Sequence, residues 1–340
     1  MKVRQSGMEL LRIVAMAMIV MLHTNFYAIG EPDFNLCDND PLRSFIQYLA
    51  ESFSIVGVNC FVFISGWFSI NATIKGFSNL VFQLLFYSIG IYLIFWLCGL
   101  NQFNYRDLIN RLDIFYFWFV REYIILYLLS PILNYFIKYA SKELARRTVV
   151  IFIIFDVVLG WLFEYSGFMA GYSAMHLSVI YLIARYIKTH GGKIFTLSKT
   201  KDMSIYLLIS ILTPICILLS FYYFNSIWSH SGKLFLYNSP LVIVSTVYLG
   251  LFFSKLNFMS STVNKIAASS FAVFLIHGDG IICHNYLLPF CQDLILIKGI
   301  VGYSLIMIIV IVCLFVLAFL SDQVRLWCWR KIQQRCFKDK

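Results

Sequence analysis

The chain has 340 residues, of which 60% are hydrophobic and only 13% charged, and its formal net charge is +10. Together with a mean hydropathy of +0.79, this composition excludes a soluble globular fold and predicts an all-α, polytopic membrane protein. The nine cysteines form no closely spaced metal-type or redox pair, so neither a disulfide framework nor a metal site is indicated.

Apolar runs of about 20 residues, the length that crosses a bilayer as a helix, predict about ten membrane spans. The N-terminal run is interpreted as a retained first helix, because no small-residue cleavage site of a signal peptide follows it. The expected organisation is one integral-membrane domain over residues 1–340, with no fused extracytoplasmic domain. The predicted spans lie near residues 8–29, 44–70, 77–100, 114–137, 148–164, 171–187, 203–225, 236–254, 265–288 and 296–320.

The positions of Lys and Arg between these spans predict the orientation. Of the 27 basic residues, 21 fall on the side of the N-terminus and six on the other side. Because cytoplasmic loops carry the excess of basic residues, both termini are predicted to be cytoplasmic. This sidedness accounts for the net charge without a nucleic-acid partner, and it favours contact with anionic lipids. The expected location is the plasma (inner) membrane of a bacterium.

The first helix carries two ionisable residues, Arg12 and His23, eleven positions apart. At about 100° per residue they share one helix face, separated by roughly 16 Å along the axis. Arg12 could equally be a cytoplasmic anchor paired with Glu9, and His23 could form an ordinary interhelical hydrogen bond. An ionisable group at membrane depth is nevertheless a functional hypothesis, and the pair on one face favours it.

Further polar residues are placed by helix rise in the outer half of the membrane, roughly 8 to 18 Å along their helices. If their helices face one another, they form a polar chamber with His23. Arg121 and Glu122 could instead be a structural ion pair, and His176 an interhelical hydrogen-bonding group. The set comprises Glu51, Arg121, Glu122, His176, His277 and Asp279.

Residues 9–23, ELLRIVAMAMIVMLH, resemble the opening helix of the acyltransferase-3 family of membrane acyltransferases, whose hallmark is an Arg, ten residues and a His. Further segments resemble that family in the same order along nearly the whole chain. They are FVFISGWF at 61–68, WF at 118–119 with Tyr123, Tyr127 and Pro131, GYS at 171–173 with YLI at 181–183, and SFAVFLIH at 270–277.

The resemblance implies transfer of an acyl group, usually acetyl from acetyl-CoA, to a sugar hydroxyl of a surface polysaccharide or its lipid-linked precursor. Arg12 would bind the phosphates of coenzyme A, since a guanidinium matches phosphate as a charged fork. His23 would act as general base or transient acyl carrier. Many relatives have an Arg-rich motif after the SG turn, where this chain offers only Lys75 to the donor.

Glu122 is a second catalytic candidate. Acetyl-CoA is expected as the acyl donor and no metal is expected, while self-association is left open. The expected acceptor is a saccharide or a lipid-linked saccharide. Aromatic residues make up 18% of the chain, and although most suit lipid contact, a few could stack on sugar rings. The candidate acceptor-binding residues are Trp118, Arg121, Tyr123, His176, His277 and Asp279.

Two alternatives stay open. A transporter or flippase of lipid-linked saccharides would also have many helices with polar groups at midplane, but the chain has no internal repeat and no pair of Gly/Pro-broken helices. Within the enzyme class, the acceptor could be an amine or a glucan, and the donor could carry succinyl.

Overall fold

A computed structural model describes residues 5–165, 167–224 and 231–336. These residues form helices and no strands, as the composition predicts. The α-helices in chain order are α1 (Ser6–Thr24), α2 (Phe26–Ile29), α3 (Phe34–Asn39), α4 (Pro41–Ser54), α5 (Gly57–Phe68), α6 (Ile74–Leu97), α7 (Tyr105–Asn110), α8 (Trp118–Tyr139), α9 (Lys142–Phe155), α10 (Ala174–His190), α11 (Lys199–Phe224), α12 (Ser231–Leu234), α13 (Pro240–Ser254), α14 (Ser261–Ala268), α15 (Ser270–His277), α16 (Gly280–Ile282) and α17 (Leu288–Cys336). A π-helical turn, Asp156–Leu162, continues α9, and another, Cys283–Leu287, joins α16 to α17.

Within the described residues, six helical stretches are long and apolar enough to cross a membrane. The other predicted spans are occupied by shorter or broken helices, among them α10, α13 and the pair α14 and α15, which meet at Ser269. The count of ten spans and the orientation of the termini therefore stay predictions. The six stretches are Ser6–Ile29, Pro41–Phe68, Ile74–Leu97, Trp118–Tyr139, Lys199–Tyr223 and Gly280–Arg335.

Helix α1 lies at the centre of the bundle, where it packs against α4, α5, α13, α14 and α15. Its core-facing side chains include Leu11, Ala15 and Val20, which are completely buried. Close packing depends on Gly57 at the start of α5, because a Cβ there would lie 2.9 Å from the carbonyl oxygen of Ala15. Small residues allow helix backbones to approach in this way in membrane proteins.

Helix α1 ends directly after His23. Asn25 has a non-helical backbone, with φ −98° and ψ −109°, so that α2 continues in a new direction. The Tyr303 hydroxyl donates a hydrogen bond to the carbonyl oxygen of Thr24, which the end of the helix leaves without an intrahelical partner. A side chain of α17 therefore satisfies the backbone of α1 at the point where α1 carries His23.

Helix α17 contrasts with these buried elements. In its stretch, Gly280–Arg335, only 11% of the most apolar window is buried, against 72% in Pro41–Phe68. Exposed apolar side chains such as Leu305, Ile309 and Val316 form a surface suited to lipid. The same helix carries a buried polar group near its end, where Arg325 contacts Asp322 at 2.5 Å. The helix therefore combines a lipid-compatible face with a polar anchor into the bundle.

Candidate active site

Arg12 lies in the N-terminal part of α1, about three helical turns before His23, which lies near the C-terminal end of the helix. Its Nη1 contacts the Glu9 carboxylate one turn earlier, and the Arg12 side chain is 26% exposed while Glu9 is buried. The pairing with Glu9 that the sequence suggested is thus present. It leaves the guanidinium at a partly open rim, where its remaining donors can bind an anion.

His23 contacts His277 of α15, a residue 254 positions away in the chain. The Nδ1 of His23 lies 3.0 Å from the Nε2 of His277, and the Nδ1 of His277 lies 2.6 Å from the carbonyl oxygen of Val273. A carbonyl oxygen only accepts, so the Nδ1 of His277 donates to it. His277 is completely buried and contacts no carboxylate among the residues that the structure describes, so the neutral ring is favoured.

These two contacts fix the tautomer of His23. In a neutral His277 that donates through Nδ1, the Nε2 atom carries a lone pair and accepts a hydrogen bond. The Nδ1 of His23 must therefore be the donor in the pair, and the Nε2 of His23 keeps a free lone pair. The arrangement leaves His23 with one defined basic nitrogen, which is what a general base requires.

The His23 ring borders two cavities. The larger has a volume of about 700 Å³ and is here named the acceptor cavity, after the acceptor site that the sequence analysis predicts around His23. A smaller one of about 20 Å³ includes Met16 and Ile19, which precede His23 on the Arg12 side. Both cavities share His23, Trp118, Tyr237 and Phe274. The acceptor cavity is lined by Leu22, His23, Phe26, Tyr27, Glu31, Glu51, Ile55, Tyr116, Phe117, Trp118, Tyr172, Gly232, Phe235, Leu236, Tyr237, Phe274, Gly278, Cys283 and His284.

Glu51 joins His23 in the acceptor cavity through Asn25. The Nδ2 of Asn25 donates to a carboxylate oxygen of Glu51 at 2.9 Å and to the Gln47 carbonyl oxygen at 2.9 Å. Asn25 follows the last residue of α1. The residue at the break in the helix therefore also holds the Glu51 carboxylate through its side chain. Of the polar set predicted to surround His23, Glu51 and His277 are the two that the fold brings to it.

Asp279 lies in a neighbouring cavity of about 220 Å³. It forms an ion pair with Arg111 and caps the start of α16 by accepting from the Ile281 N–H at 2.9 Å. This cavity, here named the outer cavity after the membrane half predicted for Asp279, shares Tyr116 and Phe117 with the acceptor cavity. Asp279 is therefore adjacent to the His23 site through two aromatic residues rather than part of it.

Four of the predicted residues lie on α8, namely Trp118, Arg121, Glu122 and Tyr123. Trp118 borders both His23 cavities, and its ring lies 4.5 Å from that of Tyr172 and 5.8 Å from that of Tyr237. Glu122 accepts from Arg121 at 2.8 Å and from the Ala174 N–H at 2.9 Å, so both of its oxygens are occupied and it supports the start of α10. Arg121 and Glu122 are not among the described residues that line these two cavities.

Tyr123 contacts the last turn of α5, and Lys75 lies in the first turn of the next helix, α6; the SG pair at 65–66 is part of α5 and does not form a turn. The Tyr123 hydroxyl lies 3.1 Å from that of Ser65, one residue before Gly66. The Tyr127 hydroxyl accepts from the Thr73 N–H at 2.8 Å and so holds the loop that precedes α6. Lys75, in the first turn of α6, is exposed. Tyr127 thus holds the loop directly before the helical turn that carries the one predicted donor-binding lysine, whereas Tyr123 contacts α5.

His176 lies behind the wall of the acceptor cavity and is completely buried. Its Nδ1 is 2.7 Å from a carboxylate oxygen of Asp156, and its Nε2 is 3.0 Å from the Oδ1 of Asn59. The Nδ2 of Asn59 donates to the Tyr237 carbonyl oxygen at 2.9 Å. This fixes the amide orientation, so the Nε2 of His176 donates to Asn59 and the His176–Asp156 pair retains a proton. The chain of contacts holds Tyr237 in place.

Asp156 and Asn59 have structural roles that the sequence analysis did not assign. Asp156 is a lone carboxylate within the apolar run VVIFIIFDVVLGWLF at 149–163, which is the signal that could have marked it as an intramembrane polar group. It begins a π-helical turn, a feature frequent at functional sites. Within the described residues, no cluster of three or more His, Cys, Asp or Glu could hold a metal ion.

The fold and the cavities define a helical integral-membrane protein with an internal site built around a pair of histidines. The model of the acyltransferase domain of family 3 matches residues 5–321, nearly the whole chain. The chain belongs to this family and is a membrane acyltransferase, as the resemblance of its first helix predicted. No curated protein and no solved structure gave a significant match.

Proposed function

We propose that the protein transfers an acetyl group from cytoplasmic acetyl-CoA to a sugar hydroxyl of a surface polysaccharide or its lipid-linked precursor, in the plasma membrane of a bacterium. The observation that carries this proposal is the His23–His277 pair at the edge of the 700 Å³ cavity, in a chain of acyltransferase family 3. A cavity of this size accommodates a small organic substrate such as a sugar unit.

His23 acts as the general base in this proposal. Its Nε2 takes the proton of the acceptor hydroxyl while the hydroxyl oxygen attacks the thioester carbonyl carbon. The C–S bond then breaks, and the same proton passes from His23 to the departing sulfur. The products are an acetyl ester and free CoA, so no other reactant is needed. His277 holds the reactive tautomer, and Arg12 binds phosphate of the donor.

The proposed geometry assigns the two substrates to opposite ends of α1. The donor approaches Arg12 from the cytoplasm, and the acceptor occupies the acceptor cavity at His23, roughly 16 Å away along the helix. The cavity on the Arg12 side of His23 holds only about 20 Å³. Aromatic side chains that line it, Phe119, Phe271 and Phe274 among them, must therefore move before a thioester reaches His23.

The central experiment reconstitutes the protein in proteoliposomes with radiolabelled acetyl-CoA and a glycan extract of the producing cell. His23→Ala should retain the fold and reduce label transfer by about 10²- to 10⁴-fold, the usual contribution of a general base. His190→Ala, a change of the same type at the far end of α10, should retain transfer. Turnover like that of the wild type in His23→Ala would exclude His23 as the base.

Sidedness is tested in vesicles of known orientation. Acetyl-CoA supplied on the cytoplasmic side alone should support modification of a glycan confined to the outer side, with free CoA released inside. A requirement for both substrates on the cytoplasmic side would place the reaction on precursors before export. Transport of unmodified glycan without any label would favour the flippase alternative.

A further inference from the structure

Helices α5 and α10 run side by side in the same direction. Asn59, near the start of α5, contacts His176 of α10 at 3.0 Å. Farther along both helices, Gly66 packs against Tyr181, where a Cβ on the glycine would lie 2.5 Å from the tyrosine carbonyl oxygen. Helix α10 continues for about two turns beyond this contact, so its last turns lie beside the end of α5.

Two cations lie in these last turns of α10. Lys188 follows Ala184 by four residues and Arg185 by three, so the three side chains are neighbours on the helix surface. Ala184 packs against Gly66, whose added Cβ would lie 2.9 Å from that of the alanine. The Nζ of Lys188 lies 4.4 Å from the centre of the Trp67 ring. Arg185 therefore lies at the edge of the contact with α5, next to Lys188.

These side chains carry hydrogen-bond donors that the protein itself does not use. The Nε of Arg185 and the Nε1 of Trp67 are buried, and neither has a hydrogen-bond partner among the described residues. No described carboxylate forms an ion pair with Arg185 or Lys188. Buried donors are nearly always partnered, so two unpartnered ones beside a lysine point to a ligand. All three groups only donate, and two of them are cations, so the ligand that they suit is an anion.

This end of α5 lies on the Arg12 side of the bundle. Glu51 of α4 contacts Asn25, the residue after α1. Six residues later along the chain, at the start of α5, Gly57 lies next to Ala15 of α1. Helices α4 and α5 therefore run antiparallel to α1, and the end of α5 lies towards Arg12.

The spacing between the two groups of cations suits one ligand with separate phosphates. Arg12 is three residues from Ala15, and Trp67 is ten residues from Gly57. Because Ala15 and Gly57 are in contact, the difference of seven residues places Trp67 roughly 10 Å beyond Arg12 along the helix axis. Coenzyme A carries a pyrophosphate beside its pantetheine arm and a separate 3′-phosphate at its nucleotide end. Arg12, which is nearer to His23, suits the first of these.

We propose that Trp67, Arg185 and Lys188 form a second phosphate-binding site, which holds the 3′-phosphate of acyl-CoA while Arg12 holds the pyrophosphate. The inference rests on the proposed function, because it specifies how the acyl donor of that reaction is bound. Arg185 supplies a planar fork that matches phosphate, and Lys188 adds a point charge that the Trp67 ring keeps in position. This binding role is separate from the proton transfer by His23.

The test compares coenzyme A with dephospho-coenzyme A, which lacks only the 3′-phosphate. Binding is measured by titration calorimetry on the protein in phosphatidylcholine nanodiscs, without an acceptor. We expect dephospho-coenzyme A to bind about tenfold more weakly, which corresponds to about 1.4 kcal/mol. Arg185→Gln should narrow the difference to about threefold or less by weakening the binding of coenzyme A alone. Arg330→Gln, at an exposed arginine of α17, should leave the difference unchanged.

Unchanged affinity for dephospho-coenzyme A shows that Arg185→Gln is folded, and Lys188→Gln, at an exposed position, should narrow the difference in the same direction. Equal binding of the two ligands by the wild type would overturn the inference, as would a difference that neither variant alters. An equal loss for both ligands in Arg185→Gln would indicate a structural role and overturn it too.

A lipid headgroup is the competing source of phosphate. Phosphatidylglycerol added to the nanodiscs should preserve the difference between the two ligands. If it abolishes the difference, the site belongs to anionic lipid and the inference is overturned. Failure of the proposed function is recognised separately: retained transfer in His23→Ala would exclude the base, and binding of neither ligand by the wild type would contradict the acyl donor itself.

Discussion

The two ends of α1 are organised in different ways. At one end, Arg12 contacts Glu9, a residue of the same helix, and is partly exposed. At the other end, His23 contacts His277, and the neighbouring Asn25 contacts Glu51, so the partners come from α15 and α4. The rim residue is thus defined by local sequence, whereas the base is defined by the assembled bundle. Variants at each end should therefore differ in what they disturb.

The largest effect is expected from His277→Ala. His277 supplies the acceptor for the Nδ1 proton of His23. Without it, the His23 ring can adopt the other tautomer, in which Nε2 carries the proton and has no lone pair with which to act as a base. We expect kcat to fall by about 10²- to 10⁴-fold, as when another protein loses the group that orients its catalytic imidazole, with the donor KM little changed. His277→Gln, which retains a hydrogen-bond acceptor, should recover part of the rate. Equal loss in both variants with reduced folded yield would indicate a purely structural role.

Asp156→Asn tests the buried wall of the His23 site. If the shared proton lies on the imidazole, loss of the carboxylate leaves a buried cation without its counter-charge. Breaking one partner of a buried pair costs about 3–5 kcal/mol, so the thermal midpoint in detergent should drop markedly. Asp113→Asn, at an exposed carboxylate of the outer cavity, is the matched control. An unchanged midpoint in Asp156→Asn would mean that the shared proton lies on Asp156, because an asparagine amide can donate to the Nδ1 of a neutral His176 in the same way.

Arg12→Lys tests the other part of the comparison, namely whether Arg12 binds the acyl donor. Lysine keeps the charge but loses the planar fork that binds phosphate through two hydrogen bonds. We expect the KM for acetyl-CoA to rise by about tenfold, with kcat and thermal stability nearly unchanged. Arg146→Lys, on the exposed surface of α9, should change neither constant. If the KM is unaltered, Arg12 is an anchor rather than a donor-binding residue.

The smallest effect concerns the end of α1. Tyr303→Phe removes the hydroxyl that donates to the Thr24 carbonyl oxygen. The loss of one such hydrogen bond should lower stability by about 1 kcal/mol, measured as a shift of the thermal midpoint. Tyr105→Phe, an exposed tyrosine of α7, provides the control. If kcat falls by more than the factor that corresponds to this loss of stability, the break after His23 also positions the base.

Local features of this protein could be predicted from sequence. Composition gave the all-helical class, and the Arg-to-His spacing of the first helix identified its family. The pairing of Arg12 with Glu9 follows from a separation of three residues, which places both on one helix face. Each of these depends on helix periodicity within a short segment, and periodicity is the strongest signal in an apolar sequence.

Contacts between distant segments could not be predicted in this way. His277 was recognised as a functional candidate, but its contact with His23 joins residues 254 positions apart and depends on how α15 packs on α1. No proline near Asn25 or Ser269 indicates the sharp helix breaks at these residues, so the sequence predicts continuous spans there. The predicted depth along a helix placed Glu51 and His176 in the same half of the membrane. It could not show that Glu51 lines the acceptor cavity whereas His176 lies behind the cavity wall.

The constriction beside His23 has a consequence for the permeability of the membrane. If donor and acceptor approach from opposite sides, as proposed, a permanently open passage between them would conduct protons and ions. The 20 Å³ on the Arg12 side of His23 has room for about one water molecule, too little for a continuous water file. Four of its ten lining residues are phenylalanines, whose side chains offer such a file no hydrogen bonds. Under the proposed arrangement, this constriction limits the leakage of protons and ions at His23, so that an electrochemical gradient can persist across the membrane.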